Sequence, residues 1–286
     1  MTANIINGKE IANKLLEKTK EEIIKRQKSK IRPPCLAVIL IGNDPASSIY
    51  VQKKKQACKN IGIKSITHNL KEETSQEVVI ELINSLNQDK EIDGILVQSP
   101  LPKHIDESIV IKTINPNKDV DGFHPINIGL LAIKTPKLRP CTPFGVIKLL
   151  DAQGIKLAGL DAVVIGASSH VGRPMTLELL LAGCTVTSCH SRTQNIERKV
   201  AQGDLIITAI GKPNIIKGTW IKKGAIVIDI GITRVGNKLI GDVEYDIAKY
   251  RAAYITPVPG GVGPMTVATL MENTLTAQKL SKRGFH

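Results

Sequence analysis

The chain is long enough for about two domains and carries a marked excess of positive charge. Of its 286 residues, 42% are hydrophobic and 23% are charged, which is ordinary for a soluble globular protein. The formal net charge is +13, but only 3% of residues are aromatic. The basic residues are scattered and match no nucleic-acid-binding motif. The charge therefore favours a solvated surface with one or two local anion sites over nucleic-acid binding.

Membrane and metal-dependent functions find no support in the sequence. The apolar runs are far shorter than the roughly 20 residues that span a bilayer, and Met1–Glu10 contains no apolar signal segment. The five cysteines form no Cys-x-x-Cys pair, which predicts small buried side chains in a reducing compartment. No His-x-x-x-His pair occurs either. We expect a cytoplasmic protein that has no membrane contact and binds no metal.

The first half of the chain alternates helix-like and strand-like segments. Lys9–Gln27 has helical spacing, and Leu36–Gly42 is a short apolar strand. Asp44 and Pro45 are typical of a helix start, and Gly62 of its end. The next predicted elements are a strand over Lys64–Leu70, a helix over Ser75–Asn87 and a strand over Ile95–Gln98. This order predicts an α/β fold with a parallel, doubly wound sheet.

A polar, proline-rich stretch, Asn115–Pro125, interrupts this alternation before it resumes. We place a domain boundary near Asp121–His124, giving domains 1–121 and 122–266. The second domain is predicted to begin with helices over Ile126–Ile133 and Phe144–Gln153. Its strands are predicted at Ala162–Ile165, Thr185–Cys189, Leu205–Ala209 and Ala225–Ile230, with a helix over Arg173–Ala182. A terminal helix, Val267–Lys282, has an apolar stripe at helical spacing.

A stiff loop, Thr256–Thr266, follows the apolar run Ala252–Ile255. Its eleven residues include three prolines and three glycines, so it can be neither a strand nor a helix interior. Rigid loops at the carboxyl ends of parallel strands are places where open α/β sheets bind ligands. A tight connection without a ligand is the open alternative.

A glycine-containing turn joins a strand to a helix at Gly166-Ala167-Ser168-Ser169-His170-Val171-Gly172. This context is typical of a dinucleotide-binding turn, although Ser168 occupies the second glycine position and the third glycine comes one residue late. Gly166 would permit the sharp turn, and the following N–H groups would face phosphate oxygens. A plain strand-to-helix turn is the alternative.

The end of the next strand indicates which nicotinamide cofactor is used. Sites for NAD usually have an acidic residue about 20 positions after the glycine turn. Here the sequence is Cys189-His190-Ser191-Arg192-Thr193, and a serine with an arginine suits the 2′-phosphate of NADP. We therefore expect NADP, with a solvated loop arginine as the alternative.

Four polar residues in the first half are candidates for binding and catalysis. Tyr50 and Lys54 lie four positions apart and share a helix face. An aromatic ring beside an amine can hold a flat heterocycle and move a proton. Gln98 ends a predicted buried parallel strand, where side chains are mostly apolar. Asp121 precedes a glycine. The alternatives are a surface lysine beside a packed tyrosine, a glutamine that caps the backbone, and a turn aspartate.

Together these motifs identify a family resemblance across nearly the whole chain. The sequence resembles the bifunctional methylenetetrahydrofolate dehydrogenase/cyclohydrolases in Asp44–Lys54, Gly94–Pro102, Asp119–Pro125, Arg139–Pro143, Val163–Pro174 and Tyr254–Thr269. One departure is Ser99, where relatives usually have leucine, and it affects only local packing.

The resemblance implies two linked reactions in a cleft between two domains. NADP oxidises 5,10-methylenetetrahydrofolate to the methenyl cation, which is then hydrolysed to 10-formyltetrahydrofolate, in one-carbon metabolism and purine biosynthesis. It implies Lys54 as acid/base, Tyr50 stacking on the folate, Gln98 supporting Lys54 or the water, and Asp121 binding the pterin. Further substrate-binding residues would be Pro259, Gly260, Gly261 and Gly263.

The resemblance also implies how the cofactor and a second subunit are bound. The cofactor-binding residues would be Gly166, Ala167, Ser168, Ser191, Arg192 and Ile232. A homodimer is implied, with the C-terminal helix 267–286 packed back on the first domain. The alternatives are a monofunctional NAD(P)-dependent dehydrogenase without the hydrolytic step, and a basic nucleic-acid-binding protein.

Overall fold

The computed structural model describes residues 2–236 and 238–281. Its elements, in chain order, are β1 Asn4–Ile5, α1 Gly8–Lys28, β2 Cys35–Ile41, α2 Pro45–Ile61, β3 Lys64–Leu70, α3 Gln76–Gln88, β4 Gly94–Val97, α4 Glu107–Thr113, α5 Pro125–Ala132, α6 Cys141–Ala152, β5 Asp161–Ile165, α7 Gly172–Leu181, β6 Thr185–Cys189, α8 Ile196–Gln202, β7 Leu205–Thr208, a 3-10 turn Gly218–Trp220, β8 Ile226–Asp229, β9 Thr233–Val235, β10 Lys238–Ile240, α9 Tyr245–Ala248, β11 Tyr254–Ile255 and α10 Val262–Ser281.

Two parallel sheets organise the described part of the chain. One has the strand order β3-β2-β4, and the other has the order β1-β11-β8-β7-β5-β6. Every pairing in both sheets is parallel, while β9 and β10 form a separate antiparallel hairpin. The predicted α/β fold with parallel sheets is confirmed. Strand β1 and the hairpin were not predicted, because both are short and lack an apolar period.

Contacts divide the chain into two compact units. The six-stranded unit contains the described residues through Ala12 together with Thr142–Thr266, and the three-stranded unit contains Asn13–Cys141 and the described residues from Val267. The predicted limits, 1–121 and 122–266 with a helix over 267–286, differ from this division at the N-terminus and over 122–141. Residues 1 and 282–286 of those limits, and the predicted helix end at Lys282, lie outside the described residues.

Two pairings account for the difference from the predicted limits. Strand β1 adds to the edge of the six-stranded sheet, where Asn4 pairs with Tyr254. The stretch after residue 121 is tied to the three-stranded unit through Asn127, whose side-chain amide donates to the carbonyl of Pro116 at 2.8 Å and to the carboxylate of Asp119 at 2.9 Å. Both contacts join segments that no local pattern connects.

The helix that carries the candidate lysine begins and ends as its sequence predicts. The Asp44 carboxylate accepts the backbone N–H of Ser47 at 2.7 Å, and Pro45 stands at the start of the helix. Gly62 ends α2 in the left-handed conformation, with φ of 85°. These two ends set the position of α2 beside the fully buried strand β2.

Each unit has an apolar core of its own. The three-stranded unit buries Leu36, Val38, Cys58 and Leu96 with Leu270 of α10. The six-stranded unit buries residues of β5, β7 and β8, among them Val163, Ile206 and Val227. All five cysteines are buried and unpaired, as predicted. Within the described residues, no helix is both long and apolar enough to cross a bilayer.

Candidate active site

A single lysine in a run of three is buried on α2. Lys54 is 9% exposed, whereas Lys53 and Lys55 on either side of it are exposed. Its ammonium Nζ donates to the side-chain oxygen Oε1 of Gln98 at 3.0 Å. The partner is a neutral amide, so the contact does not tie the lysine to a negative charge. This position suits an amine that gives up and regains a proton.

Gln98 follows β4 directly and is held from both sides. Its backbone N–H donates to the carbonyl of Ile39 at 2.9 Å, and its side-chain Nε2 donates to the carbonyl of Ser99 at 2.7 Å. The second bond directs the amide oxygen toward Lys54. Gln98 therefore contacts a backbone carbonyl, as expected for a glutamine that caps the backbone, and it contacts Lys54 as well.

Asp121 lies in the same part of the three-stranded unit. Its backbone carbonyl accepts the N–H of Cys141 at 3.2 Å. Burial raises the pKa of the Cys141 thiol well above its ordinary value, with the charge of Asp121 raising it further and that of Lys54 lowering it. Asp121 and Lys54 both belong to the three-stranded unit.

The turn that carries Asp121 is held by a different aspartate. The buried carboxylate of Asp119 accepts the backbone N–H groups of Gly122 at 3.1 Å and His124 at 2.7 Å. Burial is the main cause of its raised pKa. Asn273 of α10 supports the same segment, since its amide donates to the carbonyls of Val120 at 2.9 Å and Arg139 at 2.8 Å.

The aromatic ring of Tyr50 lies one helical turn before Lys54 and is accessible. Its side chain is 46% exposed, which leaves surface on which a flat ligand can stack. The ammonium of Lys53 lies 5.9 Å from the ring centroid. Lys53 is itself exposed.

The glycine turn after β5 is built by two close approaches. Gly166 has φ of 115°, and a Cβ atom there would meet the carbonyl oxygen of Ala209 at 2.3 Å. A Cβ on Gly172 would meet the carbonyl oxygen of Gly166 at 1.8 Å. The late third glycine thus still lets α7 pack on the turn. Ser168 holds the turn to the start of this helix, because its Oγ accepts the N–H groups of Val171 at 3.2 Å and Gly172 at 3.3 Å.

A pocket of about 600 Å³ opens over this turn. Its lining residues are Ile165, Gly166, Ala167, Ser168, His190, Ser191, Thr193, Ile196, Ala209, Ile210, Lys212, Ile215, Ile216 and Trp220. They include the predicted Gly166, Ala167, Ser168 and Ser191. The volume and the turn at a helix N-terminus suit a nucleotide.

The predicted Arg192 does not belong to this lining. Its side chain is exposed, and its backbone N–H donates to Nδ1 of His190 at 3.2 Å. The basic side chains in the lining are instead His190 and Lys212. Trp220 was missed because nothing in its immediate sequence marks it, and Lys212 was not among the predicted residues either. Lys212 follows directly after Gly211, a glycine just beyond β7, and this glycine was the available signal.

The proline-glycine loop is shorter than predicted. Helix α10 begins at Val262, so Gly263 is helical; Pro264 is tolerated there because the first helical turn needs no N–H donors. Pro259, Gly260 and Gly261 remain in the loop, which is anchored where the backbone N–H of Asp229 donates to Oγ1 of Thr256 at 2.8 Å. Ile232 is 41% exposed, and its Cδ1 would lie 3.8 Å from a Cβ on Gly263.

A parallel six-stranded sheet with a glycine turn, a helix N-terminus and a pocket above them defines an α/β protein with a Rossmann-type dinucleotide-binding unit. Family models assign both parts of the chain. Residues 6–121 match the tetrahydrofolate dehydrogenase/cyclohydrolase catalytic domain, and residues 140–282 match the NAD(P)-binding domain of the same family. The chain belongs to the tetrahydrofolate dehydrogenase/cyclohydrolase family, as its motifs predicted.

Individual relatives agree with this assignment over the full length. The chain is 62% identical to the bifunctional protein FolD of Methylobacillus flagellatus over 99% of its own length and 98% of the relative's. The crystal structure of the bifunctional FolD enzyme from Campylobacter jejuni has a TM-score of 0.95 at 47% identity, covering 98% and 99% of the two chains. The Trypanosoma brucei FolD structure, in complex with NADP cofactor and inhibitor, has a TM-score of 0.95 at 38% identity, covering 99% and 100%.

Proposed function

We propose that this chain oxidises 5,10-methylenetetrahydrofolate to 5,10-methenyltetrahydrofolate with NADP and then hydrolyses the product to 10-formyltetrahydrofolate. The observation that carries the proposal is the buried Lys54 amine, 3.0 Å from the Gln98 amide oxygen, in a chain with a nucleotide pocket and membership of this family. The oxidation needs the pocket, and the hydrolysis needs a group that moves protons.

Lys54 acts as the acid and base of the hydrolytic step. Attack of water on the methenyl carbon releases a proton, and opening of the ring requires a proton on the departing nitrogen. One amine can take the first proton and supply the second. A lysine can make this exchange, whereas an arginine stays charged.

The neighbouring side chains bind and orient the folate. The Asp121 carboxylate accepts the N–H donors of the pterin ring, and Tyr50 stacks on the flat ring system. Gln98 holds the Lys54 amine in place, or orients the attacking water with its amide. Pro259, Gly260, Gly261 and Gly263 contribute further substrate contacts, because the proline-glycine loop is stiff and presents its backbone.

Residues of the six-stranded unit hold the cofactor. The backbone of Gly166, Ala167 and Ser168 receives the phosphates at the N-terminus of α7. Ser191 and the adjacent, exposed Arg192 bind the 2′-phosphate, and Ile232 packs against the cofactor. NADP, when bound, supplies the acceptor for the hydride that leaves the methylene carbon. The folate's own nitrogen lone pair assists that departure, so the oxidation needs no strong protein base.

A single absorbance assay tests the proposal. The enzyme is mixed with methylenetetrahydrofolate and either NADP or NAD, while methenyltetrahydrofolate is followed as it forms and decays. We expect formation with NADP and decay faster than in buffer. Formation with decay at the buffer rate would instead indicate a monofunctional dehydrogenase. Absence of formation with both cofactors would contradict the proposed oxidation.

We also propose that the enzyme works as a cytoplasmic homodimer that does not bind nucleic acid. The support for self-association is that β3, an edge strand of its sheet, pairs only with β2 among the described strands. Sedimentation velocity would report the dimer directly. A salt-sensitive gel shift with RNA or DNA at nanomolar protein would contradict the exclusion of nucleic acid.

A further inference from the structure

Two buried aspartates lie beside the nucleotide pocket, and the proposed reaction has no role for either. Asp229 ends β8 and is 4% exposed; Asp242 follows β10 and is 0% exposed. Buried carboxylates are costly unless hydrogen-bond donors surround them. Their partners therefore show what they do.

Asp242 holds the loop that follows β7. Its Oδ1 accepts the backbone N–H groups of Gly211 and Lys212, both at 2.9 Å, and its Oδ2 accepts that of Ile210 at 2.6 Å. The hydroxyl of Thr208 donates to Oδ2 at 2.8 Å. Three successive backbone N–H groups thus converge on one carboxylate. Ile210 and Lys212 both line the nucleotide pocket.

Asp229 in turn holds Asp242. Its Oδ1 accepts the backbone N–H of Asp242 at 3.1 Å, and its Oδ2 accepts that of Val243 at 2.8 Å. The fit leaves no room for a side chain at Gly241, where a Cβ would lie 2.2 Å from Oδ2 of Asp229. The two carboxylates and the loop 210–212 form one hydrogen-bonded network, which we call the Asp242 clasp.

We infer that Asp242 is a positioning residue for NADP, which fixes one wall of the cofactor pocket by holding the loop 210–212. This inference rests on the proposed placement of NADP in that pocket. The loop's three N–H groups are all engaged by the carboxylate, so they do not serve the cofactor. The loop contributes the Ile210 surface and the Lys212 amine instead, and both depend on where the clasp holds the backbone.

Removal of the carboxylate should affect the cofactor and spare the hydrolytic step. Asp242→Ala leaves three buried backbone N–H groups without their acceptor, so the loop must rearrange toward water. We expect Kd and KM for NADP to rise roughly 10- to 100-fold. Hydrolysis of added methenyltetrahydrofolate, measured without any nicotinamide cofactor, should stay close to the parental rate. A general loss of folding would instead lower the hydrolysis rate together with the affinity for NADP.

The chain contains its own probe for cofactor binding. Trp220 is its only tryptophan and lines the pocket, so energy transfer from Trp220 to NADPH gives Kd without turnover. Thr208→Val is the matched control, because it removes the hydroxyl that contacts Oδ2 of Asp242 at 2.8 Å and Oδ1 of Asp229 at 3.4 Å, and leaves the three N–H bonds in place. This variant should bind NADPH nearly as the parent does. Asp242→Asn keeps one carbonyl oxygen and should fall between the parent and Asp242→Ala.

A fourth variant separates this inference from the proposed function. Ala167→Asp puts a negative charge at the glycine turn and should weaken NADPH binding if the cofactor occupies this pocket. If Ala167→Asp binds NADPH weakly and Asp242→Ala binds it like the parent, the cofactor occupies this pocket but Asp242 does not position it. That result would overturn the inference about Asp242 and leave the proposed function intact. Parental binding by both would overturn the pocket assignment. Equal loss of hydrolysis and NADPH binding in Asp242→Ala and Asp242→Asn would show that the carboxylate serves folding in general, and would also overturn the inference.

Discussion

Both units use a buried aspartate to hold a loop beside their functional residues, but the two loops are built differently. Asp119 accepts N–H groups from Gly122 and His124, three and five positions further along the chain. Asp242 accepts N–H groups from residues 210–212, at least 30 positions earlier in the chain. The first is a local turn. The second joins distant segments and needs Asp229 to hold it.

This difference has a consequence for the two reactions. In the proposed mechanism the hydrolytic step uses Lys54, Gln98 and Asp121, all in the three-stranded unit. The nucleotide pocket is lined entirely by residues of the six-stranded unit. Changes to the two aspartate-held loops should therefore separate folate binding from NADP binding.

The largest effect is expected at Lys54. Lys54→Met removes the group that moves protons and should lower cyclohydrolase activity roughly 10²- to 10⁴-fold. Dehydrogenase activity should fall less, because hydride departure needs no strong base. Kd for NADPH, read from Trp220, should stay unchanged. Lys55→Met is the matched control, since it makes the same change at an exposed neighbour. If Lys54→Met still opens the methenyl ring at the parental rate, another group moves the proton.

A pH effect on stability is expected from Asp229. Burial, the largest cause, raises its pKa from 3.8 to about 6. A carboxyl whose pKa is higher in the folded state binds its proton more tightly there. Its favourable contribution to the free energy of unfolding is complete below about pH 3.8 and is lost as pH rises through about 6. The loss amounts to about 3 kcal/mol.

Comparison with Asp229→Asn measures this contribution. The free energy of unfolding is determined by urea denaturation of both proteins between pH 4 and 7.5. The value for the parent minus that for Asp229→Asn should decrease as pH rises, because the variant lacks the titrating group. A difference that is constant across this range would show that the folded and unfolded pKa values of Asp229 are the same.

Loss of the Asp119 carboxylate should weaken folate binding and spare NADPH binding, which is the reverse of the effect expected at Asp242. Asp119→Ala removes the acceptor for Gly122 and His124 beside Asp121, so KM for methylenetetrahydrofolate should rise about 10-fold or more. Kd for NADPH should remain parental. Because the contacts are local, we expect a smaller disturbance than in Asp242→Ala. Weakened NADPH binding in Asp119→Ala would contradict the separation of the two loops.

The smallest effect is expected at Arg192, whose side chain is exposed. A charge-assisted bond to the 2′-phosphate, weakened by solvent, predicts that Arg192→Ala raises KM for NADP by up to about 10-fold. KM for NAD should hardly change. Lys212→Ala is the informative companion, because this amine lines the pocket. Equal effects of Arg192→Ala on both cofactors would show that Arg192 does not read the phosphate.

Local stereochemistry made much of the fold predictable from the sequence. Asp44, Pro45 and Gly62 bound α2 because a carboxylate cap, a fixed φ and a left-handed glycine act on their own neighbours in the chain. Fully buried strands such as β2 and β7 were predicted because they are continuous apolar runs. The glycine turn at Gly166 was predicted from its strand-turn-helix context, and Lys54, Gln98 and Asp121 from their motifs.

Only the tertiary structure decided which polar groups are buried and what they contact. Three consecutive lysines are equivalent as a pattern, and the burial of Lys54 alone depends on its packing beside Gln98. Asp242 meets its partners from 30 or more positions away, so no local signal predicts the clasp. Strand β1 exists only because β11 offers it an edge. Burial and pairing of this kind depend on segments distant in sequence, whereas caps, turns and apolar periods depend on residues a few positions apart.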